Sequence, residues 1–179
     1  MTYLLDTNIL FIYIKGGEIR ERIEQNFDPF GRSNSPIISS VAVGEIKSIA
    51  KRNNWGVKRL LKLNSIQNDL ITADINSEDV FEQYAEIHTF SQGKHKDKPL
   101  MTTSRNMGKN DLWIAATAHV SNATLLTTDR DFDHLDGVYF EVGKVQQGSY
   151  LRHAPKDEIE QRPFLWRYLL SLEIVILHD

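Results

Sequence analysis

Residues 3–14, YLLDTNILFIYI, open with a three-residue apolar burst (Tyr3 to Leu5), stop at Asp6, and resume as an apolar-rich segment from Ile9 to Ile14. A burst that short, followed at once by a longer apolar stretch, reads as a buried strand, a turn and the start of a helix. The same unit recurs along the chain. Pro36 to Ser39 supplies a second strand, and Ser39 or Ser40 caps a helix to Arg52 whose apolar positions Val41, Val43, Ile46 and Ile49 repeat at helical spacing. Leu70-Ile71, Ala123 to Leu126 and Val138 to Val142 read as the third, fourth and fifth strands. Further helices are expected over Glu18 to Gln25, Trp55 to Leu63, and from Asn76 or Ser77 to about His88. A last one runs from an Asn110 N-cap to His119. Short apolar strands alternating with helices define an α/β domain on a parallel sheet.

The composition sets bounds on that reading. With 179 residues, 41% of them hydrophobic and 25% charged, the chain has the size and balance of one soluble domain. It contains no cysteine, which excludes disulfides, thiolate metal sites and cysteine nucleophiles. The terminal apolar runs Tyr3 to Leu5 and Ile174 to Leu177 fall far short of the ~20 residues of a membrane span. No export leader is recognised, so a cytoplasmic protein without a membrane anchor is expected.

Charge is unevenly distributed around a net −3. Glu45 to Lys62 carries six basic residues against one acid, and Gly93 to Lys109 carries five against one. The segment Phe90 to Gly108 is polar and aperiodic, and loops of that length inside a domain usually carry function. Four acids sit at telling positions. Asp6 and Asp129 follow strands one and four, Glu45 lies in the helix after strand two, and Asp111 opens the helix before strand four. Ligands of open parallel sheets bind beyond the carboxyl ends of the strands. Taken singly, each acid fits a cap, a turn or a solvated helix position. Together they predict carboxylates converging on one rim, where an all-oxygen set suits Mg²⁺ or Mn²⁺.

Four segments in this order resemble the PIN-domain ribonucleases, most of all the VapC-like toxins of bacterial toxin–antitoxin pairs. They are LLDTNILF (Leu4 to Phe11), ISSVAVGEI (Ile38 to Ile46), MGKNDLWIAATA (Met107 to Ala118) and LLTTDRDF (Leu125 to Phe132). The resemblance covers residues 1–142 and implies a five-stranded parallel sheet flanked by helices. It also implies a metal-dependent ribonuclease that hydrolyses RNA phosphodiester bonds, works as a homodimer and is neutralised by a cognate antitoxin protein. Asp6, Glu45, Asp111 and Asp129 match the family's acidic quartet, with Asp6, Asp111 and Asp129 the best metal ligands for one or two cations. Thr7 and Asn8 match the polar pair after the first acid, and Thr128 a hydroxyl near the fourth. Asp131 is a second candidate for the fourth acid; Asp129 is preferred because it lies nearer the strand end. Lys47, Arg52, Arg105 and Lys109 are the candidate RNA contacts, through phosphates.

Two other classes compete with the nuclease reading: a different acid-pocket phosphohydrolase, and a non-catalytic RNA- or protein-binding module of the same fold. A phosphoaspartate enzyme typically carries two aspartates around one residue after strand one, where this chain has Asp6-Thr7-Asn8. Residues 143–179 have no counterpart in the family and form a C-terminal extension. Its apolar stretch Phe164 to Leu177 is expected to pad the domain or to form a dimer contact.

Overall fold

The computed structural model describes residues 1–145. Five strands make one parallel sheet: β1 (Thr2–Leu5), β2 (Ser35–Ser39), β3 (Ile71–Ala73), β4 (Thr124–Thr127) and β5 (Val142–Lys144), in the order β3-β2-β1-β4-β5. The helices are α1 (Thr7–Lys15), α2 (Glu18–Asn26), α3 (Ser40–Arg52), α4 (Val57–Asn68), α5 (Glu78–Ser91) and α6 (Lys109–Val120). A 3₁₀ turn, Arg130–Leu135, links β4 to β5.

The chain builds outward from β1 to β2 and β3, then crosses back to add β4 and β5 on the other side of β1. Strand order therefore reverses between β1 and β4. Leu4↔Leu125 and Leu5↔Leu126 are paired there, and the four leucines are fully buried, as strands covered on both faces require. Ile9, Leu10, Ile38, Ile46, Leu112, Ile114 and Phe132 complete the core around them.

Local signals set the helix ends. Asp6 caps α1 by accepting the Thr7 N–H at 2.6 Å. The helix stops at Gly16, whose φ of 76° is open to glycine at little cost and whose N–H returns to the Ile12 carbonyl. Ser39 and Ser77 cap α3 and α5. α5 and α6 are locked along one flank by Tyr84 and Trp113, whose rings lie 4.2 Å apart.

Three expectations need correction. The fifth strand is Val142–Lys144, not Val138 to Val142. The apolar residues before it form a turn instead: Gly137 adopts φ 66° and donates to the Phe140 carbonyl, and Tyr139 and Phe140 are buried without joining the ladder. β5 therefore runs from Val142 to Lys144. α6 is capped by Gly108, two residues ahead of Asn110, which lies inside its first turn. α4 continues to Asn68, well beyond Leu63, because Leu63 and Ile66 bury together on one face. The remainder of the expected extension and its apolar stretch lie outside the described residues.

Candidate active site

Asp6 sits where the strand order reverses. Its backbone N–H continues the ladder to the Leu126 carbonyl at 3.1 Å, which fixes the residue against the end of β4. Its side chain is 4% exposed, a costly place for a carboxylate unless it is hydrogen-bonded. Oδ1 accepts the Thr7 N–H, and Oδ2 accepts the Thr127 hydroxyl at 2.7 Å and the Asn8 amide at 3.4 Å. Burial nonetheless outweighs these donors, and the Asp6 pKa is pushed up to about 6, with Asp129 and Glu45 adding repulsion.

Thr7 joins the first acid to the second. While its N–H serves Asp6, its hydroxyl donates to Glu45 Oε2 at 2.6 Å. The other oxygen of Glu45 accepts the Asn110 amide at 3.3 Å, so α1 and α6 grip a side chain presented by α3. Asn110 thus holds Glu45 and does not cap α6. Next to it Asp111 occupies the first turn of α6, where the helix N-terminus favours an anion. Gly108 leaves that carboxylate its space, since a Cβ there would stand 2.7 Å from Asp111 Oδ2. The Asp111 pKa is also raised to about 6, by burial first and then by repulsion from Asp6, Asp129, Asp131 and Glu45. The charges that oppose Asp111 thus come from the ends of β1 and β4, from the turn after β4 and from α3.

Asp129 opens the 3₁₀ turn. Its N–H donates to the Thr127 hydroxyl at 2.9 Å, and its Oδ1 accepts the Asp131 N–H at 2.9 Å. Thr127 is fully buried and relays between Asp129 and Asp6; the expected hydroxyl, Thr128, is the next residue and is partly exposed. Asp131 is instead 3.8 Å from the Arg105 guanidinium, which also donates to the Arg130 carbonyl at 2.6 Å. Arg105 is thus engaged with the protein itself. Lys47 and Arg52 on α3 and Lys109 on α6 are exposed.

An all-aspartate oxygen set has the donor chemistry of a hard divalent cation. Among the described residues no three His, Cys, Asp or Glu side chains are grouped closely enough to hold an ion as they stand. Mg²⁺ commonly takes one or two protein carboxylates and keeps several waters. Asp6 and Asp111, both raised chiefly by burial and then by neighbouring carboxylates, fit that demand. Three contributors escaped the sequence reading: Thr127, Asn110 as a holder of Glu45, and Lys144, whose ammonium binds the Asp129 carbonyl and the Asp133 carboxylate. For Thr127 there was a signal, since it is the last residue of its strand and two before an acid.

A parallel sheet whose strand-order reversal is ringed by acids from β1, α3, α6 and β4 defines a class, and a family comparison agrees. The PIN-domain model matches residues 3–138, and the chain belongs to that family. It is 27% identical over 142 residues to Ribonuclease VapC2 of Rickettsia felis, covering 79% of this chain and 97% of that protein. Among solved structures, VapBC2 of Rickettsia felis bound to a DNA fragment from its promoter superposes with a TM-score of 0.67 at 24% identity, covering 82% of this chain and all of that one. VapBC-1 of nontypeable Haemophilus influenzae gives 0.61 at 21% identity, over 80% and 98% of the two chains. No helix among the described residues is long and apolar enough to cross a membrane.

Proposed function

We propose that this chain is a divalent-cation-dependent ribonuclease and the toxin of a toxin–antitoxin pair, with Mg²⁺ or Mn²⁺ held by Asp6, Asp111 and Asp129. The observation that carries the reading is the Asp6 carboxylate, buried at the strand-order reversal and coupled to Asp111, Asp129 and Glu45. The likeness to Ribonuclease VapC2 supports RNA as substrate, and the VapBC complexes among the structural neighbours support an antitoxin partner.

A cation held by Asp6, Asp111 and Asp129 would supply Lewis-acid chemistry, offsetting negative charge at a phosphate and making water more acidic. The chain's own residues prepare for this. Thr127, Thr7 and Asn8 aim the Asp6 oxygens, and Gly108 leaves room for the Asp111 carboxylate at the head of α6. Glu45, held at both oxygens by Thr7 and Asn110, is pre-oriented to accept a proton from the attacking water. The exposed Lys47, Arg52 and Lys109 give RNA phosphates a salt-dependent footing.

The test incubates purified full-length chain with RNA in Mg²⁺, Mn²⁺ or EDTA, beside Asp6→Asn and Asp111→Asn. Cleavage confined to the wild type with metal is expected. Cutting that persists in excess chelator, or in both variants, overturns the assignment.

A further inference from the structure

The turn after β4 presents three aspartates at alternate positions, Asp129, Asp131 and Asp133, and their surroundings differ. We propose that Lys144 and Arg105 form a two-sided clasp on this turn. By engaging Asp133 and Asp131, they leave Asp129 as the acid that serves the pocket, which makes both cations positioning residues for the candidate metal site. The inference rests on the metal-site reading given above for Asp6, Asp111 and Asp129.

The two cations arrive from separate parts of the chain. Lys144 ends β5, the strand paired with β4, and its half-buried ammonium binds both the Asp129 carbonyl and the Asp133 carboxylate. Arg105 comes from the long segment between α5 and α6. Its own N–H is anchored on the Ser91 carbonyl at 2.7 Å, and its guanidinium reaches the Arg130 carbonyl at 2.6 Å and Asp131 at 3.8 Å. Each cation therefore holds one backbone carbonyl and one carboxylate. An exposed ion pair alone contributes little, but a charged donor fixed on a backbone carbonyl is a stronger and directional bond. Gripped at the carbonyls of residues 129 and 130, the turn keeps the Asp129 N–H on Thr127 and its Oδ1 on the Asp131 N–H. Thr127 in turn donates to Asp6, so the clasp reaches the first acid through one hydroxyl.

The experiment uses the full chain as Lys144→Met, Lys144→Arg and Arg105→Met, with two readouts. The first is amide hydrogen exchange at residues 129 and 131 in metal-free protein, with the core amides of β1 as reference. The second is the Mg²⁺ concentration at half-maximal thermal shift. Lys144→Met should speed exchange at both amides about tenfold and leave β1 unchanged. It should also raise the Mg²⁺ midpoint about tenfold or more, as loss of a partner that orients a metal ligand usually does. Lys144→Arg should recover most of both effects. Arg105→Met should raise the midpoint too, although loss of a positive charge by itself would favour a bound cation. Wild-type values in Lys144→Met for both readouts, or an Arg105→Met midpoint at or below that of wild type, overturn the clasp. A wild type with no Mg²⁺ shift at all overturns the metal reading instead, and the exchange rates then decide the clasp by themselves.

Discussion

Replacing Thr127 by Val removes one oxygen and keeps the side chain's shape, at a residue with no exposed surface. That oxygen donates to Asp6 Oδ2 at 2.7 Å and accepts the Asp129 N–H at 2.9 Å. A hydrogen bond to an ionised partner contributes about 1.5–3 kcal/mol, and a buried N–H left without an acceptor costs about 1–3 kcal/mol. Asp129 is partly exposed, so water recovers some of the second loss, and the expected destabilisation at pH 8 is about 2.5–4 kcal/mol. For a domain of this size that lowers the melting temperature by about 5–15 °C. The loss should depend on pH, with a definite sign. Burial raises the Asp6 pKa from 3.8 to about 6 in the folded state, and the Thr127 bond opposes that rise. A raised carboxyl contributes stability that is complete below the unfolded pKa and lost as pH climbs through the folded one. Without the hydroxyl the folded pKa moves higher still, so the variant's deficit opens as pH rises through 6. Below pH 5 the protonated acid loses a neutral bond of only about 0.5–1.5 kcal/mol, and the deficit should be about 1–2 kcal/mol smaller than at pH 8. Urea unfolding at pH 5 and pH 8, with Thr127→Ser as the control that keeps the hydroxyl, measures both quantities. Equal losses at the two pH values, or a Thr127→Ser variant as impaired as Thr127→Val, would refute the reasoning.

Three further outcomes follow from the same geometry. In EDTA, Asp111→Asn should melt at or above the wild-type temperature, because it removes a charge opposed by Asp6, Asp129, Asp131 and Glu45. It should also lose the Mg²⁺-induced rise in melting temperature that a ligand of the native state gives; strong destabilisation in EDTA would make Asp111 a helix cap and nothing more. Tyr13→Phe should cost about 1.5–3 kcal/mol in urea unfolding, since the buried phenol donates to Glu24 Oε1 at 2.5 Å and Glu24 is itself 2% exposed. Gly143→Ala should cost about 1–3 kcal/mol as an overpacked core position, because a Cβ there overlaps Leu126 Cδ2 and comes within 3.0 Å of Phe27 Cε1; calorimetry indistinguishable from wild type would exclude that contact.

Short apolar bursts ending in an acid were legible in the sequence because strand, turn and cap are local properties. Leu4-Leu5-Asp6 carries all three within a few residues, and Ser39 and Ser77 mark helix starts in the same way. The fifth strand was misplaced because Tyr139 and Phe140 are apolar for packing, not for pairing, and Gly137 bends the chain before a ladder can form. The acids were legible as candidates because Asp6, Asp111 and Asp129 each lie at an element end and Glu45 lies in the helix that follows β2. Asn110 and Lys144 could not be read as holders, because their hold is a non-local relation. Asn110 looks like a cap until α3 brings Glu45 within 3.3 Å of it. Lys144 looks like one more surface lysine until β5 pairs with β4 and carries it to the Asp129 turn. Arg105 lies in a basic stretch that suits RNA, and only the folded chain brings it to Asp131.

The Thr127 hydroxyl bonds to an acid 121 positions earlier in the chain, and that separation has a consequence for synthesis. At about 5–20 residues per second, roughly 6–25 s pass between the addition of Asp6 and that of Asp129. During that interval the nascent chain holds β1, β2 and β3 but neither the hydroxyl that orients the first acid nor the turn that supplies the fourth. Lys144, which grips that turn, is added later still. Assembly of the proposed site is thus deferred to the last strands, and a ribosome translating this message would be well past residue 129 before its product held all four acids in place.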